Sequence, residues 1–237
     1  MWQPDYPGSI VWPAHISNWR ALPNRPRGWC LHTPEEAADQ NESTPVWFAQ
    51  EHPGSEGSTH YYLDNDGDVY QMVQEKWSPI ANGVLGKPYP SWANPNISLN
   101  GQSLNVEIEG YAANIHNSMP VGGVQFQSLV KLIKHRCAAY GIPLDREHII
   151  GHYQVATNRT DPGAKFPWTE LIAALQEEED MAITIVACGD SPSGFRIYAL
   201  GEGPPRWITD PKAANDLQAV FGQPKGLSWV ALKALGA

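Results

Sequence analysis

Residues 151–163 read GHYQVATNRTDPG and set His152 and Asp161 either side of Arg159, in a stretch with neither a helical nor an alternating period. The segment ends in Asp-Pro-Gly, which makes a turn because proline fixes φ and glycine supplies conformations other residues avoid. A helix face offers two ligands only at a spacing of three or four, whereas a loop can wrap a more distant pair around one ion. Upstream, RGWCLHT at 27–33 is a short apolar run closing on a polar pair, read as a strand with His32 at its C-terminal end. Two histidines and a carboxylate form an accepted ligand set for a catalytic zinc, which keeps its fourth position for water. The trio alone does not decide the matter. With eight histidines in the chain, a loop histidine bonded to backbone is the other reading of His152.

The segments between these ends predict an α/β chain. Residues 1–26 are rich in Pro, Trp and Asn without a period and read as an extended arm. STPVWFAQEHPG is a short helix stopped by Pro53 and Gly54. THYYLDNDGDVYQMV, 59–73, is two alternating runs around Asp66-Gly67, hence a hairpin. Lys76 to Gln102 reads as a long loop, with Trp77 and Trp92 either stacking on a sugar or anchoring the loop. SLNVEIEGY alternates, placing Val106 and Ile108 on one face and Asn105, Glu107 and Glu109 on the other. Helical spacing runs from Val124 to Tyr140 with Gly141 as its stop, HII at 148–150 is a short strand, and WTELIAALQEEED is a second helix. Interleaved strands and helices predict a mixed sheet flanked by helices.

The 237 residues are 42% hydrophobic and 17% charged, with ten tryptophans, enough for one core and a small second unit. A net charge of −9 with no basic cluster excludes a nucleic-acid binder and simple adhesion to an anionic surface. No apolar stretch reaches membrane-spanning length and no charged region precedes an apolar run at the N-terminus, so neither membrane partner nor signal peptide is read. Cys30, Cys137 and Cys188, odd in number and unpatterned, read as buried thiols from a reducing compartment.

CLHT, STHYYLDNDGDVYQMV, SLNVEIEG and GHYQVATNRTDPGAKFPW, in this order and at these spacings, resemble the zinc-dependent N-acetylmuramoyl-L-alanine amidases of the bacteriophage-lysozyme and peptidoglycan-recognition family, over about residues 27–175. The resemblance implies a zinc groove on one face of the sheet, with His32, His152 and Asp161 as ligands; some relatives carry cysteine at the third. It puts the catalytic glutamate at Glu107, to take a proton from the attacking water and deliver it to the leaving nitrogen. Glu109 shares that strand face and stays open as the alternative. Arg159 stands where relatives often carry lysine and would stabilise the oxyanion; a solvent-exposed loop charge is its other reading. His60 is expected to orient a neighbour rather than bind metal. Relatives have an aromatic-His-Ala-Gly stretch after the hairpin; this chain has SPIANGVLG, which departs from that pattern.

From residue 181 the character changes. Residues 1–180 carry 11 basic and 21 acidic side chains and 181–237 carry 5 and 4, predicting a separate small α+β module. AITIVAC, GFRIYAL and PRWI read as strands, and DPKAANDLQAVFG as a helix capped by Asp210 and stopped by Gly222. The module is similar in style to the appended cell-wall-binding units of phage endolysins, with Tyr198, Trp207 and Trp229 as contacts, or else it packs on the body or self-associates. EEEDM at 177–181 must be encoded by a purine-rich run before a methionine codon, which resembles an internal start; a fragment beginning at Met181 would then associate with the full chain.

The resulting expectation is a phage or prophage endolysin, made in the host cytoplasm and acting on peptidoglycan after release, which hydrolyses the amide between N-acetylmuramic acid and L-alanine. A non-catalytic peptidoglycan binder of the same fold and a cytosolic muropeptide-recycling amidase are the competing readings.

Overall fold

The structure is a computed structural model that describes residues 2–37, 43–83 and 85–177, together with the backbone of four strands between 184 and 226. Two compact units divide the chain, Met1–Glu177 and Glu178–Ala237.

The arm of the first unit contributes β1 (Ile10–Val11) and β2 (Trp19–Pro23). It is followed by β3 (Gly28–His32), α1 (Ser43–Phe48), the hairpin β4 (Tyr61–Leu63) and β5 (Val69–Gln71), and β6 (Trp77–Pro79). Next come β7 (Ser103–Ile108), α2 (Ile115–Ser118), α3 (Val124–Tyr140), β8 (Ile149–Gly151) and α4 (Trp168–Gln176). Six strands form one sheet in the order β1-β5-β4-β7-β3-β8. The four from β4 to β8 run parallel, and β5 is antiparallel to β4 with β1 parallel to it. The sheet is therefore mixed, as the sequence predicts.

Alternation along the strands builds two unlike faces. Trp29, Leu31, Leu63, Leu104, Val106 and Ile108 point to one side, where Phe126, Leu129 and Ile133 of α3 and Leu171 and Leu175 of α4 close the main core. Gly141 ends α3 in the left-handed conformation at φ 67°, its N–H bonded to the Cys137 carbonyl, a conformation that glycine adopts without a Cβ penalty. Cys30, His32, Asn105 and Glu107 point to the opposite face. There Phe48 of α1 packs with Tyr62 and Tyr70, and Cys30 packs with Leu99, Ile150 and Val155. Cys30 and Cys137 are free buried thiols.

Three local expectations need correction. The arm is not merely extended, since β1 adds an edge to the main sheet and β2 pairs antiparallel with β6. Residues 76–102 are not all loop, for they hold β6 and a 3-10 turn at Leu99–Gly101. The helix expected to run to Pro53 ends at Phe48. Among the described residues no helix is long and apolar enough to cross a membrane.

In the second unit, β9 (Thr184–Cys188), β10 (Arg196–Leu200), β11 (Arg206–Trp207) and β12 (Lys225–Gly226) form a sheet in the order β11-β10-β9-β12. β9 and β10 are antiparallel and β12 runs parallel to β9. The first three fall on the expected runs; a two-residue strand such as β12 leaves no periodic signal. The helix expected at 210–222, Trp229 and Met181 lie outside the described residues.

Candidate metal centre

The order β7-β3-β8 places three parallel strands side by side with their carboxyl ends together, the usual position for a site in such sheets. His32 ends β3, Glu107 is its register partner on β7, and His152 follows β8 directly. The loop then returns Asp161, whose carbonyl accepts the Tyr153 N–H at 3.1 Å. All three candidate ligands are buried.

The hydrogen bonds behind the rings fix which nitrogen faces inward. His32 Nε2–H donates to Asn105 Oδ1 at 3.1 Å, and His152 Nε2–H donates to the Asn82 carbonyl at 3.1 Å. Each neutral ring therefore turns a bare Nδ1 toward the centre. The two Nδ1 atoms are 3.0 Å apart, and Asp161 Oδ2 lies 3.1 Å from that of His152 and 3.5 Å from that of His32. Three converging lone-pair donors call for a cation between them. A tetrahedral zinc with bonds of about 2.0–2.1 Å sets its ligands about 3.3 Å apart, which falls inside the observed spread. The donor set thus fits zinc in chemistry and spacing.

Electrostatics agree with this arrangement. Burial lowers the His32 pKa, opposed in part by Asp161, which favours the neutral ring a metal needs. Burial alone would raise the Asp161 carboxyl, but hydrogen bonds from His152 and His32 outweigh it and hold Asp161 well below the usual carboxylate range.

Burial, then the charges of Asp161 and Glu36, push Glu107 well above the ordinary carboxylate range, with Arg159 pulling the other way. Its Oε2 is buried and makes no hydrogen bond to the protein. Glu107 also lines a cleft of about 450 Å³ with Pro34, Glu36, Trp47 and Phe48. Glu109 lies elsewhere and accepts the Asn65 N–H of the hairpin at 2.7 Å. Arg159 is exposed on the loop between the two ligands.

His60 binds no ligand directly. Its Nδ1 accepts the Asn105 N–H at 3.1 Å and its Nε2–H donates to the Trp77 carbonyl at 3.1 Å, so it props the residue that holds His32. Trp77 stacks on Trp19, and Trp92 donates to the Glu147 carbonyl and lies over Gly28, where a Cβ would come within 2.5 Å of the indole. Trp92 thus anchors its loop, while Trp77 packs β6 against β2. Sequence reading missed Asn82, since the site uses its backbone carbonyl and any residue has one. It also missed Glu36, which accepts from Tyr62 Oη at 2.8 Å and from the Thr44 N–H at 3.2 Å.

Comparison with known proteins agrees with this geometry. The family profile described as N-acetylmuramoyl-L-alanine amidase matches residues 22–164. N-acetylmuramoyl-L-alanine amidase A from Achromobacter lyticus is 26% identical over 182 residues, which is 68% of this chain and 90% of that protein. Among solved structures, a mutant endolysin from Bacillus subtilis superposes with a TM-score of 0.50 at 18% identity, over 70% of this chain and 97% of its own. AmiD from E. coli, in complex with the substrate anhydro-N-acetylmuramic acid-L-Ala-D-gamma-Glu-L-Lys, gives a TM-score of 0.50 at 21% identity, over 65% and 59% of the two chains. With the profile covering more than half of the sequence and the His-His-Asp centre inside it, the chain belongs to the N-acetylmuramoyl-L-alanine amidases and carries their zinc-type site.

Proposed function

We propose that this amidase works on the intact bacterial cell wall, as an endolysin of phage or prophage origin, with Glu107 as its base and Arg159 as the cation facing the oxyanion. The activity itself, hydrolysis of the amide between N-acetylmuramic acid and L-alanine, follows from the family and the His32–His152–Asp161 centre. The likeness to endolysins supports the wall-lytic reading, and with it synthesis in the host cytoplasm and action after release. The second unit is assigned to wall binding, which would raise the local concentration of the catalytic unit.

When bound, zinc supplies Lewis-acid polarisation of the substrate carbonyl and lowers the pKa of water. Asp161, His32 and His152 would hold it. Glu107, with Oε2 unpaired and its pKa raised, takes the proton of the attacking water and returns it to the leaving nitrogen as the C–N bond breaks. The products are the lactyl carboxylate on the sugar and a stem peptide with a free L-alanine amine. Arg159 places a cation beside the negative charge that forms on the carbonyl oxygen.

The single observation that carries the hydrolytic site is the buried trio at tetrahedral spacing, while the wall-lytic reading rests on the likeness to endolysins. Its test is mass spectrometry of soluble products after incubation with isolated peptidoglycan. Free stem peptides beginning with L-alanine are expected, absent with Asp161→Ala. Release from soluble muropeptides but not from sacculi would replace the endolysin by a recycling enzyme, and co-sedimentation without products would leave a binder.

A further inference from the structure

We propose that the Ser103 hydroxyl is a shared positioning group for both histidine ligands, fixing through Asn105 and Asn82 which nitrogen of each ring faces the metal. The inference rests on the His32–His152–Asp161 trio being the metal centre.

Ser103 opens β7 and is fully buried. Its Oγ donates to the Leu99 carbonyl at 2.8 Å and accepts from Asn105 Nδ2 at 3.0 Å and Asn82 Nδ2 at 3.2 Å. A hydroxyl has one proton and two lone pairs, and here all three are engaged. The bond from Nδ2 settles the orientation of the Asn105 amide. With Nδ2 turned to Ser103, whose carbonyl it also meets at 3.3 Å, Oδ1 must face His32 Nε2. A rotated amide would set an NH2 group against that nitrogen and favour the tautomer with its proton on Nδ1, the metal-facing atom.

The other arm of the network works through backbone. Asn100 Oδ1 accepts from the Ala81 N–H at 3.3 Å, the Asn82 N–H at 2.9 Å and Asn82 Nδ2 at 2.9 Å. Together with the bond to Ser103, these fix residue 82, whose carbonyl accepts from His152 Nε2 at 3.1 Å. A free neutral imidazole populates both tautomers, and only the one with a bare Nδ1 can bind here. Two rings from distant parts of the chain thus take their tautomer from one oxygen. This arm runs through the SPIANGVLG segment, where the chain departs from the aromatic-His-Ala-Gly pattern.

The test uses the metal-free full-length chain labelled with 15N, as parent, Ser103→Ala, Asn100→Ala and Asn100→Asp. Long-range 1H–15N spectra read the tautomers of His32 and His152, and competition with a chromophoric chelator reads zinc affinity. Parent rings are expected to carry the proton on Nε2. Ser103→Ala should lose that fixed tautomer in both rings and weaken zinc binding by about 10–100-fold, the usual cost of losing a partner behind a ligand. Asn100→Ala should disturb His152 alone, and Asn100→Asp, which keeps an acceptor oxygen, should restore it. Ser103→Cys, similar in size but a weak acceptor, gives the same reading should the alanine variant not fold. Parental tautomers and affinity in the Ser103 variant, or a change confined to one ring, would overturn the proposal; a parent that binds no zinc would overturn the metal centre beneath it.

Discussion

Glu107 stands opposite His32 in the register of two neighbouring parallel strands, so a potential base and a metal ligand share one row of the sheet. Glu109, two residues on, is instead spent on the Asn65 N–H of the hairpin. This separates two carboxylates that alternation alone left equivalent. Glu107→Gln should lower kcat by about 10²–10⁴-fold, the usual weight of a general acid–base group, with zinc content unchanged. Glu109→Gln should keep kcat within a few-fold of the parent. Steady-state kinetics with metal analysis checks both, and the reverse ranking would move the base to Glu109.

Asp161 supplies the anionic member of the trio, and two neutral imidazoles alone make a poor zinc site. Asp161→Ala should weaken zinc binding by more than the ~10–100-fold that loss of a hydrogen-bond partner behind a ligand costs. Asp161→Cys should retain zinc, because a thiolate is an equally accepted anionic ligand. Chelation of the parent should lower its thermal midpoint, since saturation at 1,000 times Kd contributes about 4 kcal/mol to the folded state. Equal metal content in the alanine and cysteine variants would exclude residue 161 as a ligand.

His60 gives the fold a pH dependence of its own. Burial lowers its pKa from 6.5 to about 4, so between those values the folded chain binds fewer protons than the unfolded one. Its contribution is complete above pH 6.5 and is lost as pH falls from there through 4. That difference amounts to about 3 kcal/mol. Urea unfolding of the metal-free chain between pH 7 and 4 should show a steeper loss in the parent than in His60→Gln. Parallel profiles would mean that His60 titrates alike in both states.

Where a periodic pattern spans several residues, the fold was legible in the sequence. The runs around Asp66-Gly67, the alternation of residues 103–108 and the spacing from Phe126 to Cys137 each became the expected element, since each buries one face. His32 and His152 stood out through the four ordered segments that resemble the amidases, since with eight histidines in the chain the trio alone did not single them out. β2 and β6 were not: Pro23 and Pro79 stand in them, and proline is confined to edges where ladder donors are not needed. Nor was the support behind the ligands, which works through the Asn82 carbonyl and the Asn105 N–H. Backbone groups are identical along every chain and leave no mark in composition.

Gly163 closes the turn that follows Asp161 against the Ala112 backbone. It sits two positions beyond the carboxylate at φ 110°, and a Cβ there would lie 1.9 Å from the Ala112 carbonyl oxygen. Ala112 cannot retreat freely, because its N–H is held by Glu35 Oε1 at 3.0 Å, just beyond β3. Gly163→Ala therefore combines a strained φ with a backbone collision, and should cost about 2–4 kcal/mol of stability. It should also weaken zinc binding, since the displaced turn carries the ligand. Gly54 makes the control: its φ is 79°, but nothing lies within 4 Å of an added Cβ. Gly54→Ala should cost about 1 kcal/mol, from the conformation alone, and leave zinc affinity unchanged. Urea unfolding and chelator competition on the two variants separate the terms. If both lose stability equally and neither loses zinc, the contact with Ala112 does not position the aspartate.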